Sequence, residues 1–183
     1  MSNNFKILSI DESGSASYNH QSKLFILSEF WSELVSILNS PKISFIFIVT
    51  NKQKANKLGW QPKTILQKSY FRLLELFLIQ LTKDQNCGRI VSESDPYKDK
   101  LLIHAHTALQ SQNLTYRNRV TSLCLVTKLN QDSDVQIADA LAPIAGMYAA
   151  NSKAKNRIEQ IKIRLIERKL KDQLNPSYLE GLL

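Results

Sequence analysis

Three acids spread along this sequence are the residues best suited to do chemistry. The first sits in an apolar opening stretch that runs from Ile7 into Asp11-Glu12-Ser13-Gly14. Alternation at the two-residue period of a strand puts Phe5, Ile7, Ser9 and Asp11 on one face, and Gly14 permits a sharp exit. A carboxylate is thereby delivered to the end of a rigid element, although the same four residues also satisfy ordinary turn chemistry. A second apolar run, Gly88 to Ser92, passes into Glu93 before Asp95-Pro96 ends it. The third acid is Asp139, within Ser133-Asp134-Val135-Gln136-Ile137-Ala138-Asp139-Ala140-Leu141-Ala142-Pro143. There Ser133 and Gln136 fit a capping box, and Asp134 suits the positive end of a helix. Asp139 lies deeper, beside the small residues Ala138, Ala142 and Gly146, where an acid must be solvated, paired or bound to a cation.

The elements that must position these acids follow from apolar periodicity. Lys23 to Leu27 reads as a short strand in a hairpin with the first, and Phe30, Leu34, Ile37 and Leu38 share one face of a helix that Ser40-Pro41 stops. Ile43 to Val49 is apolar almost without alternation, as in a strand covered on both faces. Asn51 to Gly59 turns polar and basic and reads as a solvated loop, with Lys52, Lys54 and Lys57 as candidate phosphate contacts. Pro62 then opens a long amphipathic helix, about Lys63 to Thr82, carrying Leu66, Tyr70, Leu73, Leu74, Phe77 and Leu81 along one side. Beyond Glu93 come a helix from Lys98 to Ser111, a strand from Thr121 to Lys128, a helix of small residues from Ser133 to Ala150 and a basic helix from Lys153 to Lys171.

This order predicts an α/β fold, with a five-stranded mixed sheet and helices on both faces. Residues 1–150 form one domain, and residues 151–183 are a basic C-terminal helix and tail, part of it or appended to it. A strand reached through a long helix returns parallel to the first and beside it, which brings Asp11 and Glu93 out at the same edge. Neighbouring strands lie about 4.8 Å apart, so carboxylates at their ends can share a metal.

Together, Asp11-Glu12-Ser13-Gly14, Glu93 at a strand end and the late Gln136-Ile137-Ala138-Asp139 resemble the bacterial domain of unknown function numbered thirty-eight hundred. That family is similar to the ribonuclease H-like superfamily of nucleases, integrases and junction resolvases, and the resemblance covers about residues 5–150. It implies a ribonuclease H-like sheet and a carboxylate cluster holding Mg²⁺ or Mn²⁺ for phosphodiester hydrolysis. The implied catalytic and metal-holding residues are Asp11, Glu93 and Asp139, with Glu12 as a further ligand and Asp95 or Asp99 as substitutes for Glu93. The rival expectation is a non-catalytic nucleic-acid-binding or assembly protein that keeps the same fold.

Composition agrees with an anionic partner and excludes several other classes. The chain has 183 residues and a formal net charge of +8, which favours nucleic acid, DNA or RNA. No stretch approaches about 18 consecutive apolar residues and the N-terminus lacks a leader pattern, so no membrane is expected and the compartment is read as cytoplasmic. Cys87 and Cys124 are too few for a disulfide framework and are read as buried thiols. His104 and His106 stand two apart on a helix and point to opposite sides, which rules out a shared metal and reads as surface histidines. Ser13 lacks a nucleophile elbow, and with five glycines in all there is no phosphate-cradling loop. The C-terminal helix is read as a packed appendage, a homodimer element or a nucleic-acid contact.

Overall fold

The computed structural model describes residues 5–10, 46, 48–49, 55, 57–127, 137–138, 159–160, 163–164 and 177–178. Its elements are β1 (Lys6–Ile10), β2 (Ile48–Val49), α1 (Pro62–Lys83), β3 (Gly88–Glu93), α2 (Pro96–Gln112), α3 (Leu114–Arg119), β4 (Val120–Val126) and β5 (Ser177–Tyr178). β1, β3 and β4 form a three-stranded sheet in that order, both pairings parallel. β2 and β5 form a separate parallel pair.

This corrects the five-stranded mixed, ribonuclease H-like sheet expected from the sequence, because among the described residues every pairing is parallel and the principal sheet has three strands. Each link between its neighbouring strands contains a helix, and a helical crossover returns the chain in the same direction. β2 is paired with the tail strand β5, a partner absent from the expected order. Of the described helices, α1, α2 and α3 share one core on one face of this sheet. The expected hairpin strand and the helix after it lie outside the described residues.

The register says which residues face the helices. Leu8 lies beside Ile90 and Ile90 beside Leu123, while Ile10 lies beside Ser92 and Ser92 beside Leu125. Leu8, Ile10, Ile90, Leu123 and Leu125 all meet the core that Tyr70, Leu74, Phe77 and Leu81 of α1 build with Leu102 and Ala105 of α2 and Tyr116 of α3. Between Gly88–Val120 and Ile90–Leu123 the ladder slips by one residue, a bulge that lets Val120 and Leu123 face the same core despite their odd spacing. Alternation then assigns Ile7, Ser9, Arg89, Val91, Glu93, Cys124 and Val126 to the opposite face. On that face Val91 is only 3% exposed whereas Ile7 is 42% exposed, so it has a buried centre and an open margin.

α1 begins at Pro62, whose missing N–H costs nothing in a first turn. It ends in a Schellman turn, with Asn86 N–H donating to the Leu81 carbonyl (2.9 Å) and Gln85 N–H to that of Thr82 (3.2 Å). Gln85 takes the left-handed position usual for glycine there, with φ of 53°. Asp84 beside it bonds to the ammonium of Lys6 on β1, which holds its carboxyl below the usual carboxylate range and ties the helix end to the sheet. Two residues after Asn86, the start of β3 allows no side chain. A Cβ at Gly88 would stand 2.7 Å from the Lys6 carbonyl oxygen, 2.7 Å from Phe77 Cζ and 3.1 Å from Leu81 Cδ2.

Candidate functional site

β3 carries the one proposed ligand among the described residues. Glu93 is its last residue, half-buried, on the face away from the helices and opposite Val126 of β4. The ladder continues one step, with Ser94 N–H donating to the Val126 carbonyl at 2.8 Å. On the other side β1 reaches the same level, since Ile10 lies opposite Ser92. The next residue in each chain is an acid, Asp11 after Ile10 and Glu93 after Ser92.

The chain beyond Glu93 accounts for the two substitute acids. Asp95 is the N-cap of α2, and its Oδ1 accepts the N–H of Tyr97 (2.9 Å) and of Lys98 (3.2 Å). Asp99 reaches back one turn, accepting the Asp95 N–H at 3.0 Å and the Ser94 hydroxyl at 2.7 Å. These reciprocal bonds satisfy donors that a helix start leaves unpaired and set negative charge at its positive end. Both carboxylates are thus committed to starting α2. Asp95 before Pro96 was the available signal, because a helix with proline at its first position needs its cap one residue earlier.

The other proposed residues are described in part. Asp11, Glu12, Asp139, Lys52 and Lys54 lie outside the described residues. Lys57 is exposed on a helical turn, where the sequence suggested an irregular loop. Ile137 and Ala138, immediately before Asp139, are helical and half-buried. Among the described residues no three His, Cys, Asp or Glu side chains stand together as a metal-holding group.

Two sequence expectations fail here. His104 is exposed, as read, and meets Phe71 edge to face with ring centroids 6.0 Å apart. His106 is instead 8% exposed, and its Nδ1 lies 2.8 Å from the hydroxyl of fully buried Tyr116. Burial pushes the His106 imidazole down and the Tyr116 phenol up, disfavouring the charged form of each. His106 can be buried between α2 and α3 because the Tyr116 hydroxyl partners its Nδ1. Cys87 is exposed rather than buried because it belongs to the connector after α1, and Cys124 on β4 is half-buried.

Among the described residues no helix is long and apolar enough to cross a membrane. No protein-family model, no curated protein and no solved structure matches this chain.

Proposed function

We propose that this chain is a metal-dependent nuclease of the cytoplasm that hydrolyses phosphodiester bonds of nucleic acid, with Asp11, Glu93 and Asp139 as the acids that hold the ion. One observation carries this reading. β1 and β3 are parallel neighbours, Ile10 lies opposite Ser92, and each strand is followed or ended by an acid at that level. In open α/β sheets, ligands bind beyond the carboxyl ends of the strands, the end at which Glu93 stands and after which Asp11 follows Ile10 in the sequence.

The donor set is all oxygen, which suits a hard cation such as Mg²⁺ or Mn²⁺ better than zinc or copper. When bound, such an ion supplies an activated water and neutralises charge building on the phosphate. Capping of α2 by Asp95 and Asp99 supports Glu93 as the acid from β3. Lys57, with Lys52 and Lys54 near it in sequence, holds the phosphate backbone, and binding weakens steeply with salt.

A second reading, a binding protein without catalysis, draws on the net charge of +8, which needs no acid cluster. Incubation of the full chain with mixed DNA and RNA, with Mn²⁺ or with a chelator, separates the two. The nuclease reading expects cleavage only with Mn²⁺, and loss of both Mn²⁺ binding and cleavage in Asp11→Asn and in Asp139→Asn. Variants that bind metal and cut as the parent does would end it.

A further inference from the structure

Ahead of α1, and apart from the acids, lies a patch with another chemistry. From Lys57 to Leu74 the chain carries Lys57, Lys63, Lys68 and Arg72 and no acid. Arg72 bonds Glu75 one turn on, at 3.3 Å, whereas Lys57, Lys63 and Lys68 are exposed and form no ion pair among the described residues. Folding does not reward this arrangement. Lys63 stands in the first turn of α1, which has no acid and no side-chain cap, and a cation there opposes the helix dipole. An anionic partner offsets that cost.

In the middle of these cations stands an aromatic ring. Trp60 is half-buried, and the Lys68 ammonium lies over its ring, 4.8 Å from the centroid. The turn that presents it is braced, because the N–H groups of Leu58 (3.1 Å) and Trp60 (3.0 Å) both donate to the carbonyl of buried Ala55. Gly59 allows this turn at φ of 71°, and a Cβ there would touch nothing within 4 Å. A flat ring with one ammonium over it and two further exposed lysines three residues away along the chain on either side matches a strand whose bases are free to stack and whose phosphates follow at the side. A duplex hides its bases and could use only the lysines, as could a lipid headgroup.

We propose that Trp60, with Lys57, Lys63 and Lys68, is a stacking platform for single-stranded nucleic acid. This deepens the nuclease reading, on which it rests for the claim that the bound strand is the substrate. The test is fluorescence anisotropy of the full chain with labelled single strands of DNA and of RNA and a duplex of equal length, in chelator so that nothing is cut. The single strands should bind more tightly than the duplex. Trp60→Ala should weaken single-strand binding by about tenfold, leave the duplex unchanged, and be rescued by Trp60→Phe. Lys57→Ala and Lys63→Ala should each reduce the salt slope by roughly 0.7.

A tryptophan readout covers the case in which Trp60→Ala fails to fold. The chain has two tryptophans, so in Trp31→Phe the emission of Trp60 should be quenched by the oligonucleotide. The proposal is overturned by unquenched emission, by a Trp60→Ala variant that binds single strands as the parent does, or by preference for phosphatidylserine vesicles. Binding through Trp60 without Mn²⁺-dependent cleavage sinks the nuclease reading alone, and cleavage with Trp60-independent binding sinks the platform alone.

Discussion

The two ends of β3 are built on opposite terms. At its start, Gly88 is wedged between the Lys6 carbonyl, Phe77 and Leu81 with no room for a methyl group. At its finish, Glu93, Ser94, Asp95 and Asp99 gather in a stretch rich in carboxylates. The first end is apolar contact and backbone, suited to fixing strand against strand and strand against helix. The second caps a helix with Asp95 and Asp99 and carries Glu93 on the sheet face away from the helices. The contrast teaches that alignment is set at one end of the strand, by close apolar packing, while the other end is given over to carboxylates and the start of a helix.

Exchanging single residues at the two ends should break that contrast in a graded way. The largest effect is expected at the finish, where Glu93→Gln abolishes Mn²⁺-dependent cleavage by the folded chain. If Glu93→Gln instead cuts normally, the division of labour is wrong. Gly88→Ala should do the reverse, lowering stability by about 1–3 kcal/mol through overpacking. Urea unfolding reads this, and Mn²⁺ affinity of the folded fraction should hold. Asp95→Ala sharpens the difference among the acids, since it should cost about 1 kcal/mol through the lost cap yet cut as the parent does below its melting temperature.

The smallest effect touches neither end. Burial lowers His106 in the folded state, so between its folded value and the ordinary imidazole value of about 6.5 the unfolded chain binds more protons. Stability is therefore complete above about pH 6.5 and falls as the pH drops below it. Urea midpoints taken from pH 7 to pH 5 should decline, and the decline should vanish in His106→Gln whatever its offset.

The sequence made some of this architecture visible for definite reasons. α1 could be read because Tyr70, Leu74, Phe77 and Leu81 repeat at the helical period, and all four are buried. The parallel pairing of β1 with β3 followed from the handedness of a helical crossover. α3 escaped notice because Leu114–Arg119 is short, polar and begun by a cap at Asn113 that belongs equally to the end of α2. β5 escaped because a two-residue pairing leaves no periodicity to read. His106 was misread because its partner Tyr116 lies ten residues on, beyond a helix boundary that spacing rules on one helix do not cross. Of the candidate site, the strand ending on Glu93 was legible in the run Gly88 to Glu93. The capping duty of Asp99 was not, since it depends on the hydroxyl of Ser94 turning toward it.

The missing side chain at Gly88 also governs something distant from it. Lys6 and Gly88 lie four pairings before Ile10 and Ser92, roughly 13 Å along the ribbon at the ordinary rise per residue. A residue bulkier than alanine would prise the near ends apart and, like a shim under a hinge, swing the far tips out of alignment. A slip by a single residue would turn every side chain of one strand to the opposite surface, and a glycine too cramped to replace thereby becomes the stop that keeps two distant strand tips in step.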